Sequence, residues 1–368
     1  MAQGKPSLLF ITINDIKDAT FGGGVVSRRN FDALRKVCDV TLYRISKKST
    51  AHSALSLLTG YFPPSSGADA RAAADILTEN RIGLVFFDSS VLGAVAHSIR
   101  KKFPSVKTVT FFHNEEVDYL DVRFGNRWRK YPYRLSARHS ETMITRLSDR
   151  MVALNPRDAE RVRMLYGRAP ELCVPVTFPD RYIPEPQAES GGERVCLLVG
   201  AMRRDTYEGV AWFCREVAPH LRARTQIVGR GYESVRAELA AENVEVVGAV
   251  DDLGAYYNRA DAVALPILSG AGMKVKTAEA LMYGKTVFGT KEAFEGYDVA
   301  FPAMGAECET KEQYIEGING YLASHGRPER FNAACRNLFL EKYEASAADA
   351  RFAALIEELC AESGCARS

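Results

Sequence analysis

Apolar and polar positions alternate along the chain in a steady rhythm, short apolar runs leading into stretches of helical period. In the first half, Ser7–Ile13, Asp39–Arg44, Gly83–Asp88, Val106–Phe112 and Arg150–Leu154 read as strands. Helical stretches are predicted over Val25–Lys36, at about Ala68–Asn80 and after Ser89-Ser90. Another opens at Asn155-Pro-Arg-Asp158, with Asn as cap, Pro in the first turn and Asp beside the positive helix end. The segment Ser46–Gly67, with Pro63-Pro64, has no clear period. The second half repeats the rhythm, with strands at Val195–Val199, Thr225–Val228, Val244–Val247, Asp261–Leu265 and Thr286–Gly289. Its helices are expected at Glu208–Val217, at Leu253–Asn258 and after Ser269-Gly-Ala-Gly-Met273, with Gly284 capping the last of these. Phe331–Cys360 is helix-periodic and highly charged.

Strands that alternate with helices form parallel sheets with crossover helices, so two such runs predict two doubly wound, Rossmann-like α/β domains. A length of 368 residues agrees, being too great for one ordinary core. The expected domains are 1–180 and 188–344, joined by the proline-rich Phe178–Gln187, with a C-terminal helix at about 345–368 free to pack back on the first. Ligands of such sheets bind at the carboxyl ends of strands, so a cleft between facing domains is the expected site.

Composition narrows the class. With 46% hydrophobic and 26% charged residues the chain reads as a soluble globular protein. There is no apolar run long enough for a transmembrane helix, and Ser7–Ile13 is too short for a signal peptide core and runs into Asn14-Asp15. A cytoplasmic location is expected. The eight cysteines have no zinc-site spacing and are expected to be reduced. The net charge of +2 hides an asymmetry: residues 1–184 carry 28 Lys+Arg against 18 Asp+Glu, the remainder 20 against 28. A basic first half suits an anionic partner, a membrane surface or an acceptor; no motif points to nucleic acid.

The stretch Ser269-Gly-Ala-Gly-Met-Lys-Val-Lys276 is the main chemical candidate. A small-residue loop at a helix N-terminus offers free amides, and Lys274 and Lys276 add charge there, with Glu279 following. That set suits a phosphorylated ligand bearing hydroxyls. Arg123–Arg138 has six cationic and no anionic side chains, interleaved with Phe124, Trp128, Tyr131 and Tyr133, and suits an anionic membrane surface. No Asp-x-Asp pair occurs to clamp a metal–diphosphate.

The succession Leu198-Val-Gly-Ala-Met202, Gly209 to Phe213, Ile227-Val-Gly-Arg-Gly231, Val247 to Asp261, Pro266 and Gly272-Met-Lys-Val-Lys276-x-x-Glu279 resembles the donor domain of glycosyltransferase family 4. These are GT-B enzymes that transfer sugars from nucleotide donors with retention. The resemblance covers Val195–Asp298 densely and the first half loosely. It implies that Glu279 holds the donor ribose and that Lys274 and Lys276 stabilise the leaving diphosphate. Gly272, Met273, Arg203, Gly229, Gly231 and Val250 join them on the donor side, and Arg204 stands beside Arg203. His113, in Phe111-Phe112-His113-Asn114-Glu115-Glu116, matches a histidine near the donor sugar. Gly22-Gly23-Gly24 with Ser27 and Arg28 matches a glycine-rich loop on the acceptor side, joined by Ser90, Glu115 and Glu116. The family's Glu-x7-Glu motif departs here, with Ala271 in place of the first acid.

The implied activity is metal-independent, cofactor-free transfer of a hexosyl-type sugar from a UDP- or GDP-linked donor to a glycan or lipid-linked acceptor. Polysaccharide biosynthesis at the inner membrane face would fit it. A nucleotide-sugar epimerase of the same architecture and a non-catalytic sugar-binding subunit are the alternatives. A nicotinamide-dependent Rossmann enzyme would need Gly-x-Gly-x-x-Gly with an acid ~20 residues on, which Phe21-Gly-Gly-Gly-Val-Val-Ser-Arg28 lacks.

Overall fold

The computed structural model describes residues 5–17, 22–46, 49–124, 130–177, 179–184, 193–269, 273–324 and 330–363. The chain divides into two compact units. Unit 1 comprises Met1–Thr177 and Ala345–Ser368, and unit 2 comprises Phe178–Glu344.

Unit 1 contains β1 (Ser7–Thr12), α1 (Gly22–Val37), β2 (Asp39–Arg44), α2 (Thr50–Leu58), α3 (Gly67–Glu79), β3 (Leu84–Phe87), α4 (Gly93–Lys102), β4 (Lys107–Phe112), α5 (Glu116–Phe124), α6 (Lys130–Leu147), β5 (Arg150–Ala153), α7 (Pro156–Tyr166) and β6 (Leu172–Cys173). The sheet is parallel with order β2-β1-β3-β4-β5-β6. Strands covered on both faces read as continuous apolar runs, and Leu84-Val-Phe-Phe87 is buried at every position. Phe10 stacks on Phe86 at 5.3 Å at the centre of this core. The last helix, Ala345–Ser363, packs on α1, where Lys36 pairs with Asp349 at 2.5 Å, and its Phe352 meets Phe86 of β3 edge-on at 5.8 Å.

Unit 2 contains β7 (Val195–Val199), α8 (Arg204–Glu216), β8 (Arg224–Val228), α9 (Arg236–Leu239), β9 (Val244–Gly248), α10 (Leu253–Arg259), β10 (Ala262–Leu265), α11 (Val275–Met282), β11 (Val287–Gly289), β12 (Gly305–Glu307), α12 (Lys311–Ala323) and α13 (Ala333–Leu338). A π turn, Phe339–Tyr343, leads into the C-terminal helix, α14. The parallel sheet has order β12-β11-β10-β7-β8-β9. Trp212 and Phe213 of α8 pack on Tyr314 as core residues.

Local signals act where the sequence places them. Asn155 caps α7 by accepting the Asp158 amide at 2.9 Å, and Gly284 lies at φ +59° just past α11. Two expectations change. Gly22–Gly24 is the first turn of α1 rather than a loop before it, and the segment Ser46–Gly67 contains α2, capped by Ser49. The basic stretch is divided between the end of α5 and the start of α6, and 125–129 lies outside the described residues. Phe124 and Tyr133 stack at 5.9 Å beside Val117, Leu120 and Ala137, so those two aromatics serve packing, whereas Tyr131 is exposed. Among the described residues no helix is long and apolar enough to cross a membrane.

Candidate functional site

Each sheet reverses its strand order once, between β1 and β3 in unit 1 and between β7 and β10 in unit 2. The loops leaving the sheet at such a point diverge to opposite faces and leave a crevice at the strand ends. The candidate residues gather at both places.

In unit 1 the centre is Asp88, fully buried immediately after β3. Its Oδ2 accepts the Thr12 hydroxyl at 2.8 Å, and its Oδ1 accepts the Asn30 amide at 2.9 Å and lies 3.3 Å from His113 Nε2. A buried carboxylate needs such partners, and these three come from β1, α1 and the turn after β4. Ser27 accepts from Asn14 at 2.9 Å and stands 3.5 Å from the same histidine nitrogen. The ring is held edge-on to Phe111, with centroids 5.0 Å apart, and its side chain is only 10% exposed. His113 Nδ1 is buried with no protein partner, so the ring is oriented through Nε2 and retains one polar atom for a ligand.

The other first-half candidates are placed around this cluster in different ways. Gly23 and Gly24 belong to the N-terminal turn of α1, where the first amides of a helix are unpaired by the helix itself. Arg28 is half-exposed and bound to Asp32 at 2.7 Å. Ser90 and Glu115 are buried; Ser90 donates to Glu141, and Glu115 accepts the Val117 and Asp118 amides at 3.0 and 2.8 Å. Glu115 is therefore a cap for α5 rather than a solvated acceptor-side carboxylate. Glu116 gives its amide to Glu141 at 3.2 Å.

In unit 2 the glycines pack the strand-end turns against one another. A Cβ on Gly229 would lie 1.7 Å from the Gly200 carbonyl oxygen, so no other residue fits there without moving backbone. Gly229 also donates to the Gly248 carbonyl at 2.7 Å. Gly231 adopts φ +101°, and Glu233 ties its turn to the next by accepting the Gly231 and Ala249 amides at 2.6 and 2.5 Å. These amides, with its own, hold the exposed Glu233 carboxyl below the usual range. Val250 follows half-buried in that turn.

Lys274 and Lys276 stand at the start of α11 with a carboxylate each. Lys274 Nζ meets Glu292 at 2.5 Å, and Lys276 Nζ meets Glu279 at 2.6 Å, one turn along the same helix. Tyr257 reaches the same Glu279 oxygen at 3.4 Å. The start of α11 is braced, because Tyr297 donates to the Lys274 carbonyl at 2.7 Å and Thr277 to the Ala293 carbonyl at 2.6 Å. Lys276 lies close to the Gly200 turn, its Cε 4.0 Å from where a Gly200 Cβ would stand. Met273 is buried, and Arg203 is exposed at the start of α8. Gly272 and Ala271 lie outside the described residues, as do the Arg204 side-chain atoms.

Sequence reasoning gave no role to Glu292, Glu233 or Glu141, nor to Asp88 a central one. Only Asp88 left a signal, a lone acid ending the apolar run Leu84–Phe87.

Residues 193–341 match the family model described as Glycosyl transferases group 1. Solved structures align with almost the whole chain. A glycosyltransferase from Rickettsia africae aligns with TM-score 0.66 at 13% identity, covering 96% of this chain and 98% of that one. The chain has the GT-B fold. Within its second unit, residues 193–341 are similar to the group 1 glycosyl transferases, and the motifs that resemble family 4 over Val195–Asp298 lie inside the matched range. The lipopolysaccharide outer core galactosyltransferase WaaB aligns with TM-score 0.66 at 14% identity, covering 96% and 99% of the two chains. Anabaena Alr3699/HepE, solved with UDP-glucose, aligns with TM-score 0.65 at 12% identity, covering 96% and 99%. No curated protein matches the chain in sequence.

Proposed function

We propose that this GT-B glycosyltransferase moves a hexosyl group from a nucleoside diphosphate sugar to a glycan or lipid-linked acceptor, with retention and without a metal. The observation that carries this reading is the pair of lysines at the α11 N-terminus, each held by an exchangeable carboxylate. A diphosphate entering the loop competes for Lys276. The exchange frees Glu279 to accept two ribose hydroxyls, a task its two oxygens suit. As the sugar–phosphate bond breaks, charge accumulates on the departing phosphate, where the lysines and the α11 N-terminal amides stabilise it. His113, held through Nε2 by Asp88, offers Nδ1 to the transferred sugar. In the retaining reaction the departing diphosphate takes the acceptor proton. A uridine donor is favoured by the relative solved with UDP-glucose. The exposed Tyr131 and Leu135 near the start of α6, beside Lys130 and Arg134 that both pair with Asp121 at 3.1 and 2.7 Å, suit a membrane face carrying a lipid-linked acceptor, from the cytoplasmic side.

A thermal-shift screen of UDP-, GDP- and ADP-sugars tests the donor assignment, since a ligand that binds only the folded chain raises Tm. UDP-sugars are expected to give the largest shift, and transfer should persist in EDTA. NMR of the donor alone separates transfer from epimerisation. Absence of a shift with every nucleotide sugar would remove the donor site from the account.

A further inference from the structure

The unit 1 cluster rests on a buried group that the proposed reaction does not use. Glu141, on α6, is fully shielded from solvent. Its Oε1 accepts the Ser90 hydroxyl at 2.7 Å and the Glu116 amide at 3.2 Å, and its Oε2 lies 2.7 Å from the Tyr166 hydroxyl. That hydroxyl also lies 3.2 Å from Oε1 of Glu115, which is itself buried. Around this group stand Ser90 before α4, Glu115, Glu116 and Asp118 at the start of α5, and Tyr166 and Arg161 on α7. Arg161 is engaged by Asp118 at 2.6 and 2.9 Å.

The hydrogens do not suffice for two ionised carboxylates. Tyr166 has one proton and two acidic oxygens beside it. With both acids charged, one contact would set lone pair against lone pair away from water, which is costly. One proton on Glu141 completes the chain: Glu141 donates to Tyr166, and Tyr166 donates to Glu115. Glu115 keeps the Val117 and Asp118 amides at the α5 N-terminus as its donors. Burial first, then the charges of Glu115 and Glu116, push the Glu141 carboxyl well above the usual range. The two groups tied to Oε1 follow Asp88 and His113, the pair 3.3 Å apart, by two and three residues along the turns after β3 and β4.

We propose that Glu141 is a positioning residue: as a neutral acid it locks the turns after β3 and β4 to one another and so fixes His113 against Asp88. The kinetic consequence rests on the glycosyltransferase reading; the protonation state does not.

Infrared difference spectroscopy of the full chain, wild type against Glu141→Gln, reads the protonation directly. A protonated-carboxyl C=O band at neutral pH, lost in the variant, is expected. Glu141→Gln, an isostere of the neutral acid, should keep kcat within about twofold, whereas Glu141→Ala should lower kcat about tenfold or more with donor KM unchanged. The His113 ring titration followed by NMR should be preserved in Glu141→Gln and moved in Glu141→Ala. No carboxyl band at neutral pH, or equal loss in both variants, overturns the proposal. If the wild type transfers no sugar, the band and the ring titration still decide the role of Glu141.

Discussion

The two strand-end clusters handle charge in opposite ways. In unit 1 a carboxylate with no exposure is met by a hydroxyl, an amide and an imidazole, and the hydroxyl and imidazole have the Asn14 amide and Ser27 as further neighbours. In unit 2 the lysine side chains are 12% and 30% exposed, and each meets a carboxylate at its tip. A network of mutual hydrogen bonds holds one geometry and is costly to break. A partly solvated ion pair contributes little to stability and yields to a stronger anion. The first arrangement suits orienting a neutral sugar, the second suits capturing and releasing a diphosphate.

Three variants press on this contrast. The largest effect is expected from His113→Ala, which should lower kcat about a hundredfold while leaving nucleotide affinity unchanged, because in the proposed reaction the lost group would meet the sugar alone. Steady-state kinetics beside calorimetry checks it, and a parallel loss of nucleotide binding would blur the division between the clusters. Lys276→Ala should cost about tenfold or more in rate with the fold intact by circular dichroism. Full turnover in that variant would refute the phosphate assignment. The smallest effect concerns pH. Because the Glu141 carboxyl is raised on folding, the folded chain holds a proton that the unfolded chain releases in the ordinary carboxylate range. Stability is then complete below that range and declines as pH rises toward the raised value. Urea unfolding across this interval should show the decline in the wild type and not in Glu141→Gln.

Much of the architecture is legible in the chain because parallel strands announce themselves. Leu84–Phe87 and Ala262–Leu265 are buried throughout, and such runs bounded by turn residues have few other readings. The strands β6 and β12 were not legible, since two or three residues at a sheet edge carry no period. The glycine turns of unit 2 were legible for a steric reason, as the approach of Gly229 to Gly200 admits no side chain. What the sequence hides is partnership. Lys274 and Glu292 are 18 positions apart, Ser90 and Glu141 are 51 apart, and only the folded topology brings them together. Glu115 shows the same limit from the other side, because an acid at a strand end looks available until the helix amides it caps are placed.

The central claim is that the α11 N-terminus recognises the second phosphate of a nucleotide. Isothermal titration of UMP, UDP and UDP-glucose into the wild type and Lys276→Ala tests it most directly. UDP should bind about tenfold or more tightly than UMP, and this preference should collapse in the variant. An unchanged preference for UDP in Lys276→Ala would contradict it.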